Sequence, residues 1–363
     1  MTPEQLLNHW LALPNRAFAR EPVVTGEAIA CDCSGLINLL FEQLQLSKPY
    51  QLARPKAVHY FAILQEIGSN RLANLKPGNL LAWRKDKLPK SGDSGHVLMV
   101  AGEPLAVADH CYRLAVVDAT KLEQGIARRE IELQVDEAGQ LIGVRLHRAE
   151  NKFKRTAIYH HPLSASRYCF GCALPKRVCN CGAIDPILPP PPITILRHPE
   201  ERGRTLSTVS LIKQRYPAVL VKEGEHFAPL RQSKLALLFP DATNIGSEAD
   251  DQTGALQVYE HLILIDATWR KAKRILHQNP WLQALPKVAL RPEKSSDYLL
   301  RKVADAGALS SVEAFALAVA DGQLAGMLKP FMERQIALMG ESVYQKNYRH
   351  YLNFSGLNIS DHH

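Results

Sequence analysis

The chain has 363 residues, 46% hydrophobic and 22% charged, with Lys and Arg exceeding Asp and Glu by 44 to 36 for a formal charge of +8. Such a length exceeds what one hydrophobic core usually supports, so two domains are expected, and the composition fits a soluble globular protein with no apolar run long enough to cross a bilayer. The positive balance suits contact with a polyanion such as RNA, although a merely basic surface would have the same charge.

Residues Met1 to Trp10 carry no basic leader ahead of an apolar core, so the expectation is a cytoplasmic protein with no membrane attachment and no evident protein partner. An odd count of seven cysteines then argues for reduced thiols with metal or catalytic work rather than disulfides.

Apolar residues recur at helical spacing over Pro3–Leu13 and Cys33–Leu44, and short β-rich runs follow at 79–83, 96–102, 113–120, 131–135 and 141–146. Helices first and strands later predict an α+β domain over residues 1–150. Asp32-Cys33-Ser34-Gly35 opens the second helix, where aligned peptide dipoles favour negative charge, as a nucleophilic sulfur requires. Gly95-His96-Val97 begins one strand and Asp118 lies in the next, giving a thiol, an imidazole and a polar group to orient it. These motifs, with Pro77-Gly78-Asn79 before a Trp-bearing strand, resemble the NlpC-type papain-like cysteine amidases. The resemblance implies a papain-like fold with Cys33, His96 and Asp118 as catalytic residues. The family usually has Gly-Asp where Gly78-Asn79 stands, and often a His in the third catalytic role. An inactive papain-like module that positions RNA is the alternative.

A basic, His-rich stretch without a clear period predicts a linker over 151–166, and a second domain over 167–363. It opens with Cys169-Phe-Gly-Cys172 and Cys179-Asn-Cys181, four soft donors that can converge on one tetrahedral Zn²⁺ within the segment 169–181. Gly171 is expected to tighten the first loop, and an iron–sulfur cluster is the competing reading. After the stiff run Pro189–Pro192, compact apolar strands at 193–196, 218–221, 235–239, 261–266 and 287–290 alternate with helices at 208–214, 269–277 and 311–319. That alternation predicts a mostly parallel sheet covered on both faces.

The strand 261–266 ends in Asp266-Ala-Thr268-Trp269, followed by Arg270, Lys271 and Arg274, where α/β proteins bind ligands. A helix N-cap is an equally good account of Asp266, and a core side chain of Trp269. The cysteine pairs, His198-Pro-Glu-Glu201 with Thr205-Leu-Ser207-Thr208, Leu237-Leu-Phe-Pro240-Asp-Ala242, Asp266-Ala-Thr-Trp269 and Arg301…Leu309-Ser310-Ser311-Val-Glu313-Ala314 follow one another as in the DTW-domain family. From about Arg167 to Ala320 the chain resembles the DTW-domain tRNA-uridine aminocarboxypropyltransferases, with Ser207 where that family tends to carry Asn and Ser311 where it tends to carry Thr.

This resemblance implies an α/β SPOUT-like domain with a knotted C-terminal region. It also implies transfer of the 3-amino-3-carboxypropyl group from S-adenosylmethionine to N3 of a tRNA uridine. Asp266 is then the expected base. His198, Glu201, Thr208, Thr268, Trp269, Arg301, Ser310 and Glu313 are expected around the S-adenosylmethionine, and Arg204, Arg270, Lys271 and Arg274 on the tRNA. Two alternatives are a non-catalytic zinc-dependent RNA-binding protein and a cysteine hydrolase that the second domain delivers to RNA.

Overall fold

The computed structural model describes residues 1–85, 95–146, 152–164, 166–204, 206–239, 258–290, 296–298, 300 and 309–348. The motif residues Thr205, Pro240–Ala242 and Arg301 lie outside them. The chain forms two compact units, Met1–Lys176 and Arg177–His363. No helix among the described residues is long and apolar enough to cross a membrane.

In the first unit, Thr2 caps α1 (Pro3–Leu11): its Oγ1 accepts from the Gln5 amide at 3.2 Å while Gln5 Oε1 accepts from the Thr2 amide at 2.7 Å. The helix buries Leu6, Leu7 and Trp10. Three short strands follow, β1 (Asn15–Ala17), β2 (Val23–Val24) and β3 (Ala28–Ala30), as a small sheet with β3 in the middle. Next come α2 (Cys33–Gln43) and α3 (Ala57–Ile67). Every residue of α3 is buried, so it presents no exposed face.

An antiparallel sheet completes the unit: β4 (Asn79–Arg84), β5 (Gly95–Val100), β6 (Leu105–Ala108), β7 (Cys111–Thr120), β8 (Gly125–Val135), β9 (Leu141–Arg145), β10 (Lys154–Arg155) and β11 (Ile158–Pro162). Its main path runs β10-β9-β8-β7-β5-β4-β11. Alternate residues feed two cores. Leu80, Ala82, Val97 and Met99 pack with the helices, whereas Leu81, Trp83, Leu98 and Val100 pack with Leu114, Ile131 and Leu133. The α+β order expected for this half is therefore observed. Two strands occupy residues expected to be a linker: exposed β10 pairs with the edge of β9, and β11 buries Ile158, Tyr159 and His160 against β4.

The second unit is built on a parallel sheet of β12 (Ile193–Arg197), β13 (Leu220–Glu223), β14 (Leu235–Leu238), β15 (His261–Asp266) and β16 (Lys287–Val288), in the order β13-β12-β15-β14-β16. Its helices are α4 (Val209–Arg215), α5 (Trp269–Gln278), α6 (Pro280–Gln283), α7 (Ser311–Ala318), α8 (Gly322–Gly326), α9 (Leu328–Met339) and α10 (Glu341–Tyr348). All of β12 is buried and β15 nearly so, which explains their unbroken apolar runs. After β12 the chain passes through α4 to β13 on one side; after β15 it passes through α5 to β16 on the other. The carboxyl ends of β12 and β15 thus flank a switch in direction, the place where open α/β sheets form a ligand crevice.

Candidate functional site

At the mouth of α2, Asp32 Oδ1 accepts from the Gly35 amide at 2.6 Å and from Ser34 Oγ at 3.0 Å, so the cap fixes the turn that presents Cys33. Gly35 sits in a tight spot, since a Cβ there would stand 3.1 Å from Asp32 Oδ1 and 3.2 Å from the Pro22 Cβ, so its neighbours would have to give by a few tenths of an ångström. Gly95 opens β5 with φ +144°, and a Cβ there would fall 2.2 Å from the Trp83 carbonyl oxygen.

His96 Nε2 lies 2.6 Å from Asp118 Oδ2, and Cys33 and His96 line the same cavity, near enough for the sulfur to act on the imidazole. The three residues expected as a catalytic set are therefore brought together from α2, β5 and β7. Burial acts to lower the His96 pKa, but the neighbouring Cys33 sulfur and the hydrogen bonds to Asp118 and Cys33 raise it to about 10. For Asp118, fully buried, desolvation acts upward and is outweighed by hydrogen bonds from Arg129 and His96, which hold it below the usual carboxylate range.

Arg129 reaches Asp118 Oδ1 through Nε at 2.9 Å and Oδ2 through Nη2 at 2.5 Å, while Nη1 donates to the Leu146 carbonyl at 2.9 Å. Cross-strand pairing sets Asp118 opposite Ala127, so Arg129 stands diagonally on the same face. The Trp83 ring lies 5.1 Å from His96 at a 38° tilt. A cavity of about 790 Å³ opens over Cys33 and His96. Such an arrangement can prepare a sulfur nucleophile and move one proton.

In the cysteine segment, Cys169 and Cys172 are buried and Cys179 and Cys181 half-buried, with the four sulfurs all within 4.8 Å of one another. The first loop closes through Ala173 N donating to Cys169 O and Cys169 N to Leu174 O, both at 2.8 Å, and Gly171 N donates to Cys169 Sγ at 3.3 Å. The residue in the left-handed region is Ala173, at φ +61°, rather than Gly171. Four converging thiol donors fit one Zn²⁺ or another thiophilic ion.

In the second unit Arg197 and Asp266 are paired across β12 and β15 at their carboxyl ends. Asp266 is buried and its Oδ1 accepts from Ser311 Oγ at 2.6 Å; its backbone carbonyl accepts from the His198 amide at 3.1 Å. Thr208, at the start of α4, accepts from the Val312 amide through Oγ1 at 3.3 Å. Asp266, His198, Thr208 and the start of α7 therefore meet at the switch point.

His198 Nδ1 accepts from the Glu200 amide at 3.2 Å, which leaves Nε2 to donate to Glu225 at 2.7 Å. Ser310 caps α7, and Glu313 returns its carboxylate to the Ser310 amide at 2.8 Å. Glu313 also accepts from Ser296 Oγ at 2.6 Å and the Asp297 amide at 2.8 Å, so it ties residues 296–298 to α7. Thr268 stands at the N-cap of α5 without a side-chain cap bond, and Trp269 packs edge-on to Phe239 at 5.8 Å, partly in the core.

Three of the four cations expected on RNA already face acids. Lys271 Nζ lies 2.8 Å from Glu200 and 3.3 Å from Glu201, Arg274 2.7 Å from Glu225, and Arg204 3.6 Å from Glu201, whereas Arg270 is exposed. Sequence reasoning missed Arg129 and Glu225 altogether, and gave Ser311 no partner; only the strand register and the fold supply those pairings.

The model of the DTW domain matches residues 166–341. The chain is similar to the mouse tRNA-uridine aminocarboxypropyltransferase 2, 32% identical over 167 residues, which are 42% of this chain and 55% of that one. It is similar also to the Drosophila melanogaster protein of the same name, 30% identical over 177 residues, 44% of this chain and 68% of the relative. The chain thus spans about half the length of the mouse relative. No solved structure matches it.

Proposed function

Because the chain belongs to the DTW-domain family, we propose that its second unit transfers the 3-amino-3-carboxypropyl group of S-adenosylmethionine to N3 of a uridine in tRNA. The observation that carries this reading is the junction of Asp266 with Ser311 at the switch point, beside His198 and Thr208. The named relatives are tRNA-uridine aminocarboxypropyltransferases and match this part of the chain.

In this reading uridine N3 attacks the γ-carbon of the methionine arm, the bond from that carbon to sulfur breaks, methylthioadenosine leaves, and the N3 proton passes to Asp266. The sulfonium activates three carbons, so the site must align the amino-acid arm rather than the methyl with the nucleophile. Ser311 orients the Asp266 carboxylate. Glu313 acts by holding the loop and α7 in place, while Arg301 would meet the amino-acid carboxylate. The same reading takes this unit as SPOUT-like with a knotted C-terminal region, and the cysteine segment as a structural zinc site held by Cys169, Cys172, Cys179 and Cys181. Incubating the purified chain with S-adenosylmethionine and unmodified tRNA should release methylthioadenosine and yield a heavier uridine nucleoside; neither product appearing would remove the assignment.

A second activity is favoured by one specific arrangement, His96 bonded to Asp118 and facing the same cavity as Cys33. We read the first unit as a papain-like cysteine hydrolase of an amide or ester. Alkylating Cys33 should abolish hydrolysis while aminocarboxypropyl transfer persists, and loss of both would mean that the sites are coupled.

A further inference from the structure

We infer that the cavity over Cys33 accepts an acyl compound bearing an anionic group, a phosphate or a carboxylate, set apart from the bond that is cleaved. This rests on the reading of Cys33 as a nucleophile and adds the substrate class to it. The cavity holds about 790 Å³, room for a ligand of cofactor size. Its border carries the exposed side chains of Arg20, Lys56, Lys121 and Lys154, together with Arg54 and Arg129. Arg54 faces Glu21 at 3.0 Å and Arg129 is committed to Asp118, so the field of the other four cations falls on the opening. Among the described lining residues Asp32 is the one acid, and its Oδ1 is taken by Gly35 and Ser34.

Like charges gathered around a concave, low-dielectric wall focus their potential and raise the local concentration of an anion. Phe18, Pro22 and Trp83 line the same cavity and give the uncharged body of the ligand apolar contact. The chemistry balances without a further reactant. The Cys33 sulfur bonds to the acyl carbon, the carbon–nitrogen or carbon–oxygen bond breaks, and the leaving group takes the His96 proton. Water then gives a proton to His96 as its oxygen bonds to the acyl carbon and the carbon–sulfur bond breaks. A carboxylic acid is released and the starting pair is restored.

The test measures alkylation of Cys33 in the full chain by iodoacetate, an anion, and by iodoacetamide, its neutral counterpart, with the Cys33 peptide followed by mass spectrometry. At low ionic strength iodoacetate should label faster. The ratio of the two rates should fall with added salt and drop about tenfold in Lys121→Glu/Lys154→Glu. Both lysines are exposed, and the His96 charge is common to both proteins, so the change in ratio isolates the rim. Inorganic phosphate and succinate serve as competing anions: the one that protects Cys33 at lower concentration identifies the group recognised. Rapid labelling by both reagents at a ratio indifferent to the lysines, with protection by neither anion, overturns the anionic substrate and leaves the nucleophile standing. Labelling of Cys33 no faster than in the unfolded chain overturns both.

Discussion

Arg129 grips both carboxylate oxygens of Asp118, at 2.9 and 2.5 Å, where Asp118 is wholly shielded from solvent and bonded in turn to His96. A carboxylate withdrawn from water depends on such partners, and removing one from a buried pair typically costs roughly 3–5 kcal/mol. Arg129→Met is therefore expected to weaken the first unit by about 3 kcal/mol, read as an earlier unfolding transition in urea. An unmoved midpoint would show that Asp118 does not need this cation.

His96 and Asp118 predict opposite responses to pH. The folded His96 value of about 10 lies above its ordinary 6.5, so stabilisation by its protonated form is complete below about 6.5 and is lost as pH rises through 10. Asp118 is held below its ordinary 3.8, so its share is present above that value and is lost on acidification below it. The stability difference between the wild-type protein and His96→Gln should be large at neutral pH and shrink above pH 10. A difference that grows with alkalinity would contradict the arrangement.

The cysteine segment should carry one metal ion per chain, measured by elemental mass spectrometry on protein purified without chelator. Cys172→Ser removes a buried donor and should release the ion and lower the melting temperature. A colourless protein with zinc supports the zinc site; a brown chromophore with iron would replace it by a cluster.

If the second unit is the proposed transferase with Asp266 as its base, Asp266→Asn should cut kcat at least a hundredfold, the usual scale for losing a general base, with the fold retained by circular dichroism. Ser311→Ala, which removes the hydroxyl 2.6 Å from Asp266 Oδ1, should cost about tenfold in kcat and little in KM. Full activity of Asp266→Asn would take the residue out of the proton-accepting role.

Glu313→Gln weakens a capping box and the tether to residues 296–298, at a cost of about 1 kcal/mol in stability. Its effect on transfer should appear as a raised KM for S-adenosylmethionine, measured with tRNA saturating. A changed kcat at constant KM would instead give Glu313 a part in the chemistry.

Much of this was legible in the chain. Buried parallel strands such as Ile193–Arg197 read as unbroken apolar runs, and Asp32 and Ser310 announce helix starts by their own capping chemistry. The helix Ala57–Ile67 was not legible, because a helix buried on every side shows no 3.6-residue alternation. Nor were the two strands at 154–162, one of two residues and the other His-bearing, within a basic stretch. Pairings across long separations were invisible in principle: nothing near Lys271 or Arg274 in sequence announces Glu200 or Glu225, and nothing near Asp118 announces Arg129.

The commitment of Lys271 to carboxylates that follow β12, and of Arg274 to one that follows β13, changes what a polyanion would gain by docking on α5. A phosphate arriving there must displace Glu200, Glu201 or Glu225 rather than only a cloud of loosely held counterions. Fewer small ions are then set free than the number of basic side chains suggests, so if tRNA is the polyanion, as proposed, the logarithmic dependence of its affinity on salt concentration should be shallower than a count of cations on the helix implies.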